Sequence, residues 1–214
     1  MELSLEVSKL KKLVLEMQGQ VLVNLEYALK TLVNYDPNTK YEPIDDLKVD
    51  AYERAIEEKC LHLMLTERLF STDMRLVSGV MCMVEDLERL GDHAQDIMEF
   101  ALKVKNTKVS EFPKLNVLVN FVYKMVKDAT LAFKNEDAKL ASEVISSDDY
   151  VDKTYVEILN DLIRQDSNNQ ITSSYALYST LIDKYLERLA DHATNIAEWV
   201  IFINTGFYKD TQII

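Results

Sequence analysis

Turn-forming residues are scarce in this chain of 214 residues, which contains 4 glycines and 3 prolines. β-Sandwiches and β-barrels need a turn roughly every 8–12 residues, so this composition disfavours both classes. The glycine-rich phosphate-binding patterns GxGxxG and GxxxxGK[ST] are also missing from the sequence. The sequence therefore predicts a protein that is neither β-rich nor built around a nucleotide-binding loop.

Cysteine and basic residues are also in short supply. The two cysteines, Cys60 and Cys82, both fall in apolar helical patterns, and we expect them to be reduced thiols in the core. Two such cysteines suggest neither a disulfide framework nor a thiolate zinc site. The 24 Lys and Arg residues against 36 Asp and Glu residues give a net charge of −12. Because phosphate backbones are bound by Lys/Arg patches, we expect no nucleic-acid ligand.

Long hydrophobic runs are missing as well. The longest strongly apolar stretch, Trp199–Ile203, is far short of the roughly 20 residues that span a bilayer. The first residues lack the basic segment and apolar run of a signal peptide. We therefore expect a soluble, cytoplasmic protein with no membrane span.

The main pattern along the sequence is helical periodicity, because apolar residues recur at steps of three and four. A polar stretch without periodicity, residues 106–112, separates three predicted helices from three more. Asp73 and the two residues before it offer an N-cap for the third helix, Pro113 suits a helix start, and Gly206 suits a helix end. The predicted helices cover residues 3–33, 44–66, 72–105, 113–134, 137–165 and 172–204.

The two halves of the chain repeat each other. The segment Glu88–Ala94 recurs 99 positions later as Glu187–Ala193, with six of seven residues identical. Upstream, Asp46-x-x-Val49-Asp50 recurs 102 positions later as Asp148-x-x-Val151-Asp152. The sequence therefore predicts an all-α fold of two similar three-helix antiparallel bundles, six helices in all, related by internal duplication. We place the first bundle at residues 1–107 and the second at residues 112–208.

Each half carries two acidic pairs spaced four residues apart on predicted helices. Such pairs share one helix face, where like charges destabilise an isolated helix. Carboxylate clusters bind hard cations, so we predict metal ions here, with magnesium, calcium, manganese and oxidised iron as the candidates. The alternative is a solvated or ion-paired face, with Arg89 or Arg188 neutralising the adjacent glutamate. The predicted ligands are Asp46, Asp50, Glu88, Asp92, Asp148, Asp152, Glu187 and Asp191, with Asp96, Glu99 and Glu198 as possible auxiliary ligands.

The two motif histidines, His93 and His192, directly follow aspartates of these pairs. A residue one position along is rotated by about 100° around the helix, so each histidine points away from the acidic face. Hydrogen bonding between helices is one role for them, and auxiliary metal ligation is the other. Di-iron carboxylate enzymes in helical bundles use Glu-x-x-His pairs. The chain has none, which argues against that enzyme class.

The doubled Glu-Arg-Leu-x-Asp-His motif, the doubled Asp-x-x-Val-Asp motif and the segment Thr72–Leu76 together resemble the PhoU family of bacterial phosphate-uptake regulators. The resemblance covers nearly all of residues 4–205. It implies paired three-helix bundles whose E/DxxxD motifs bind metal, either iron or zinc and other divalent ions such as manganese and magnesium. These motifs fall on the eight carboxylates named above. It also implies a protein that is often dimeric and has no catalytic activity.

The resemblance further implies partners. They are the ATPase subunit of the high-affinity phosphate ABC transporter and a sensor histidine kinase, through which the family keeps the phosphate-starvation response off. Two alternatives stay open from the sequence. One is an accessory protein of a low-affinity phosphate permease, and the other is a helical adaptor that binds no metal.

Overall fold

The fold is described from a computed structural model for residues 2–44, 46–104, 113–209 and 211–213. It contains six α-helices, which confirms the predicted all-α class, followed by one short antiparallel hairpin. The predicted linker, residues 106–112, lies outside the described residues, and so do both proposed bundle boundaries. The elements are α1 (Glu2–Val33), α2 (Leu47–Thr66), α3 (Ser71–Lys103), α4 (Pro113–Asn135), α5 (Ala138–Ser167), α6 (Ser173–Thr205), β1 (Phe207–Tyr208) and β2 (Thr211–Gln212).

Local chemistry explains where several helices begin and end. The Asp137 side chain accepts hydrogen bonds from the backbone N–H groups of Lys139 and Leu140, at 3.0 and 2.9 Å, and so caps the start of α5. Gly206 ends α6 in the left-handed conformation, with φ of 82°, which confirms the predicted stop.

The predicted N-cap of α3 and the predicted start of α2 were wrong. Helix α3 begins at Ser71 after Phe70, and no side-chain hydrogen bond caps it. Helix α2 begins at Leu47 rather than at Ile44, because Asp46 occupies the N-cap position and its carbonyl accepts the first hydrogen bonds of the helix. Helix periodicity in sequence does not distinguish the last loop residue from the first helical residue, so such boundaries shift by a few positions.

The two repeats share one core. Helices α1, α2 and α3 pack together, α4, α5 and α6 pack together, and α3 packs against α6. The buried apolar side chains of all six helices form one continuous cluster. The internal duplication therefore produces two similar units joined through their third helices.

Helices α3 and α6 run antiparallel along this junction. At one end, Gly79 meets Ile203 so closely that a Cβ at position 79 would lie 2.5 Å from Ile203 Cγ1. At the other end, the Phe100 ring lies 6.1 Å from the ring of Tyr178 and 5.7 Å from that of Tyr185. A glycine at one end and aromatic rings at the other set how closely the repeats approach.

The structure corrects one core prediction and adds one element. Cys60 is buried as predicted, but Cys82 is exposed, because it lies on the outer side of α3, away from the buried Val80 and Met83. The hairpin after α6 was not predicted, and Tyr208 of β1 stacks on Trp199 at 4.1 Å. In the described part of the chain, no helix is both long and apolar enough to cross a membrane.

Candidate functional site

The first acidic face comprises Asp46, Asp50, Glu88 and Asp92, on α2 and α3. Asp46 lies against α3 at Gly91, where a Cβ would come 2.7 Å from Asp46 Oδ1 and 3.1 Å from a methyl group of Val49. The missing side chain at Gly91 lets the first turn of α2 approach the α3 backbone between Glu88 and Asp92. Asp46, the N-cap residue of α2, therefore lies against the α3 backbone at Gly91, which stands between Glu88 and Asp92 in the sequence.

Glu88 shows how the charges of this face interact. Its burial raises its pKa to about 7, the charge of Asp92 adds to the effect, and Arg89 opposes it. Arg89 Nε lies 3.4 Å from Glu88 Oε2, and its Nη1 lies 3.1 Å from Asp92 Oδ2. The ion-paired alternative therefore describes part of the first face. Glu53 of α2 also raises the pKa of Glu88 and belongs to the same neighbourhood, although its sequence position was not singled out.

The second acidic face comprises Asp148, Asp152, Glu187 and Asp191, on α5 and α6. Burial raises the pKa of Asp148 to about 6, and the negative charges of the other three residues of the face raise it further. The pKa of Asp191 is also raised, first by burial and then by Glu187. The structure thus places the four predicted carboxylates of this half within electrostatic reach of one another.

Basic residues neutralise the two faces differently. On the second face, Lys184 Nζ lies 2.5 Å from Glu187 Oε2. Arg188, the counterpart of Arg89, instead lies over the Tyr185 ring at 5.6 Å. The motif arginine therefore pairs with its own glutamate on the first face, whereas on the second face a lysine one turn earlier does so.

The auxiliary candidates are engaged elsewhere. Asp96 lies beside the Tyr185 hydroxyl and 3.7 Å from His93 Nδ1, Glu99 pairs with Lys103, and Lys209 Nζ lies 3.1 Å from Glu198. Across residues 2–44, 46–104, 113–209 and 211–213, no three His, Cys, Asp or Glu side chains stand in an arrangement that could hold a metal ion. The donor chemistry suits hard cations, but the carboxylates do not converge on one point. Metal ligation by these residues stays a prediction.

Polar side chains link the repeats across the α3–α6 junction, next to both faces. Asp86 Oδ1 lies 2.8 Å from His192 Nδ1 and accepts a hydrogen bond from Asn195 Nδ2 at 3.0 Å. His192 thus hydrogen-bonds between helices, the first of the two roles considered for it. The imidazoles of His93 and His192 meet with centroids 5.3 Å apart.

The 99-residue offset relates the two sides of this junction. It maps Asp86 onto Tyr185, His192 onto His93 and Asn195 onto Asp96. On the second side, the Tyr185 hydroxyl lies beside Asp96, and the Tyr185 ring lies 5.1 Å from the His93 ring. The duplication therefore preserves the position of this contact while its chemistry differs between the sides.

One buried carboxyl group was missed by the sequence analysis. Asp183 is 0% exposed, and neither carboxyl oxygen has a hydrogen-bond partner among the described residues. Burial raises its pKa to about 8, and Glu187, one turn further along α6, raises it further. The spacing of four residues from Glu187 is the signal that could have identified it. The corresponding position in the first repeat is Val84, an ordinary core residue.

The fold and its faces define a class of all-α proteins with two repeated three-helix units, each with one acidic face. The family model of the PhoU domain matches residues 14–101 and again residues 115–200. The chain therefore belongs to the PhoU family.

Relatives and solved structures agree with this assignment. The phosphate-specific transport system accessory protein PhoU homolog of Pseudomonas aeruginosa is 31% identical over 207 residues, 94% of this chain and 84% of the relative. PhoU homolog 1 of Thermotoga maritima is also 31% identical, over 94% of this chain and 85% of its own length. The crystal structure of PhoU from Pseudomonas aeruginosa superposes with a TM-score of 0.83 at 27% identity, covering 95% of this chain and 99% of that one. The structure from Streptococcus pneumoniae, with a TM-score of 0.82 at 24% identity over 98% and 100% of the chains, supports the fold.

Replacing Asp183 by valine should stabilise the protein, and more so at pH 8 than at pH 5. The folded protein holds a proton on Asp183 up to a pKa of about 8, whereas the unfolded chain releases it near 3.8, the ordinary pKa of an aspartic acid. Between these values the unfolded state binds fewer protons, so the penalty from Asp183 grows as pH rises. We expect a gain of about 1–3 kcal/mol at pH 8, measured by urea unfolding.

The control is Asp183→Asn, which keeps a buried polar group but removes the titration. It should flatten the pH dependence of the free energy of unfolding without the gain that valine gives. Equal effects of Asp183→Val at pH 5 and pH 8 would show that Asp183 is ionised in the folded protein.

Proposed function

We propose that this chain is a cytoplasmic regulator of phosphate uptake that acts by protein contact and not as an enzyme. The observation that carries the proposal is the pair of PhoU-domain matches, which together cover most of the chain. Its relatives are named accessory proteins of the phosphate-specific transport system, over 94% of this chain in two cases. Those names favour the ABC transporter over the low-affinity permease.

Its proposed partners are the ATPase subunit of the phosphate ABC transporter, a sensor histidine kinase and a second copy of the chain. In this proposal, contact with the first two keeps the phosphate-starvation response off when phosphate is plentiful. The acidic faces support the idea, because negative surfaces attract and orient Lys/Arg-bearing partners. The net charge of −12 favours the same kind of partner.

We also propose that the two acidic faces bind hard cations. The support is the raised pKa of Glu88 and of Asp148, which is due first to burial and then to the neighbouring negative charges. A nearby cation stabilises the charged form of such a carboxylate. The four carboxylates of each face would hold the ion after their side chains turn toward one another. The bound ion would supply positive charge to a surface that otherwise repels acidic partners.

A metal-free adaptor is the second candidate, and Arg89 favours it. Its contacts with Glu88 and Asp92 already offset part of the first face. In that case the carboxylates would act directly on basic partner surfaces, and cations would compete with the partner.

Cation binding can be measured face by face. After dialysis against manganese and removal of free ions, elemental analysis should find at least one ion per wild-type chain. Asp148→Asn/Glu187→Gln/Asp191→Asn should lose more bound manganese than Asp50→Asn/Glu88→Gln/Asp92→Asn, because Arg89 already competes for the first face.

The matched control is Glu136→Gln/Glu143→Gln, which removes exposed carboxylates from α5 and the loop before it. It should retain the wild-type ion content, and all variants should keep the helical circular dichroism. Trace manganese in wild type and in every variant would contradict cation binding and leave the metal-free adaptor.

The regulatory role can be tested in a bacterium that lacks its own PhoU-family protein. The wild-type chain should restore repression of a phosphate-starvation reporter in high phosphate. The variant with substitutions on both faces should fail to restore it, while the Glu136→Gln/Glu143→Gln control succeeds at equal protein level. Full repression by the variant would show that the acidic faces have no part in the function.

A further inference from the structure

The solvent-facing side of α1 carries a regular row of residues that make no contribution to the core of the fold. Its residues recur at steps of three, four, four and three, and so lie on one helix face opposite the buried side. Leu15 is 37% exposed and Val23 is 62% exposed. We call this face the outer stripe, and it consists of Lys12, Leu15, Gly19, Val23 and Glu26.

No contact within the chain explains why position 19, at the centre of the outer stripe, is a glycine. A Cβ built at Gly19 would find no atom within 4 Å. Gly79 and Gly91, by contrast, are each pressed against a neighbouring helix. Glycine in a helix interior is less stable than alanine, so a glycine in open space costs stability without any benefit to the monomer. Its remaining use is to let another backbone come close.

The outer stripe is complementary to itself. Lys12 and Glu26 each lie seven residues from Gly19, on opposite sides, and Leu15 and Val23 each lie four residues from it. If two copies of α1 pack antiparallel about a two-fold axis at Gly19, Lys12 of each copy meets Glu26 of the other. Leu15 likewise meets Val23 of the other copy. Such an isologous contact is the arrangement that a symmetric dimer requires.

The charged side chains of the outer stripe can exchange their partners within α1 for partners on a second copy. Lys12 Nζ lies 3.6 Å from Glu16 and Lys30 Nζ lies 2.6 Å from Glu26, both within α1. The Lys12 and Glu26 side chains are 77% and 46% exposed. Exposed pairs of this kind contribute little, so exchanging them for pairs between copies costs little.

We propose that a second copy of this chain binds to the outer stripe, with the two α1 helices antiparallel and in closest contact at Gly19. This surface would form the homodimer named among the partners in the proposed function. The inference rests on that homodimer and on no other part of the proposed function. The two exposed apolar residues and the two pairs of opposite charges define the contact. The stripe lies on α1, whereas the acidic faces lie on α2, α3, α5 and α6.

The first test is the oligomeric state of the full chain, by sedimentation equilibrium over a wide concentration range. Wild type should show a reversible dimer, and Gly19→Arg should raise its dissociation constant about tenfold or more, which corresponds to about 1.4 kcal/mol. Gly19→Ala should also weaken the dimer while raising the melting temperature of the dilute monomer, because alanine meets nothing there. The control Lys127→Glu, on α4, should leave the dissociation constant unchanged.

Charge reversal gives the second test. Lys12→Glu and Glu26→Lys should each weaken self-association, since each places like charges opposite each other. An equimolar mixture of the two variants should form a heterodimer of near wild-type affinity, because both charge pairs are then restored. No other placement of the two-fold axis gives this rescue.

The outcomes separate the inference from the proposed function. A dimer that is insensitive to Gly19→Arg, or two variants that fail to rescue each other, would overturn the outer stripe while the homodimer stands. A wild-type chain that stays monomeric at every concentration would overturn both, without bearing on the phosphate-regulatory role. With either result, we expect Gly19→Arg to repress the phosphate-starvation reporter as the wild-type chain does, because the acidic faces lie on other helices.

Discussion

The packing of α3 against α6 is the contact on which the rest of the structure depends. Each of these helices is the third of its repeat, and together they join two three-helix units into one apolar core. The approach is set by Gly79 against Ile203 at one end and by stacked rings at the other. Because each helix also carries a Glu-x-x-x-Asp pair, this single contact fixes where both acidic faces lie relative to each other.

Duplication produced two faces that are alike in position and unequal in charge. Arg89 pairs with Glu88 and Asp92, while its counterpart Arg188 lies over an aromatic ring. The second repeat also buries Asp183 where the first has valine. Because Arg89 contacts two carboxylates of the first face while Lys184 pairs with one, Glu187, on the second, the second face keeps more uncompensated negative charge. Asp183 adds a buried carboxyl group that stays protonated near neutral pH. The two faces are therefore expected to respond differently to cations and to basic partners.

Periodicity and repetition predicted the six helices, the duplication and the paired carboxylates, because each is a pattern along one chain. What they could not predict depends on contacts between helices. The stagger that brings Asp46 to Gly91 is set by packing, as is the exposure of Cys82 in an apolar run. Two links between the repeats, Asp86 with His192 and Tyr185 with Asp96, join residues about ninety or more positions apart and follow no local spacing. Ion binding depends on side-chain rotation that neither pattern nor packing fixes.

We propose that the chain regulates phosphate uptake through protein contact made by its acidic faces. The most direct measurement is the affinity of the purified chain for the ATPase subunit of the phosphate transporter, with and without manganese or magnesium. We expect saturable binding that Asp148→Asn/Glu187→Gln/Asp191→Asn weakens and Glu136→Gln/Glu143→Gln does not. An absence of binding by the wild-type chain in every ionic condition would contradict it.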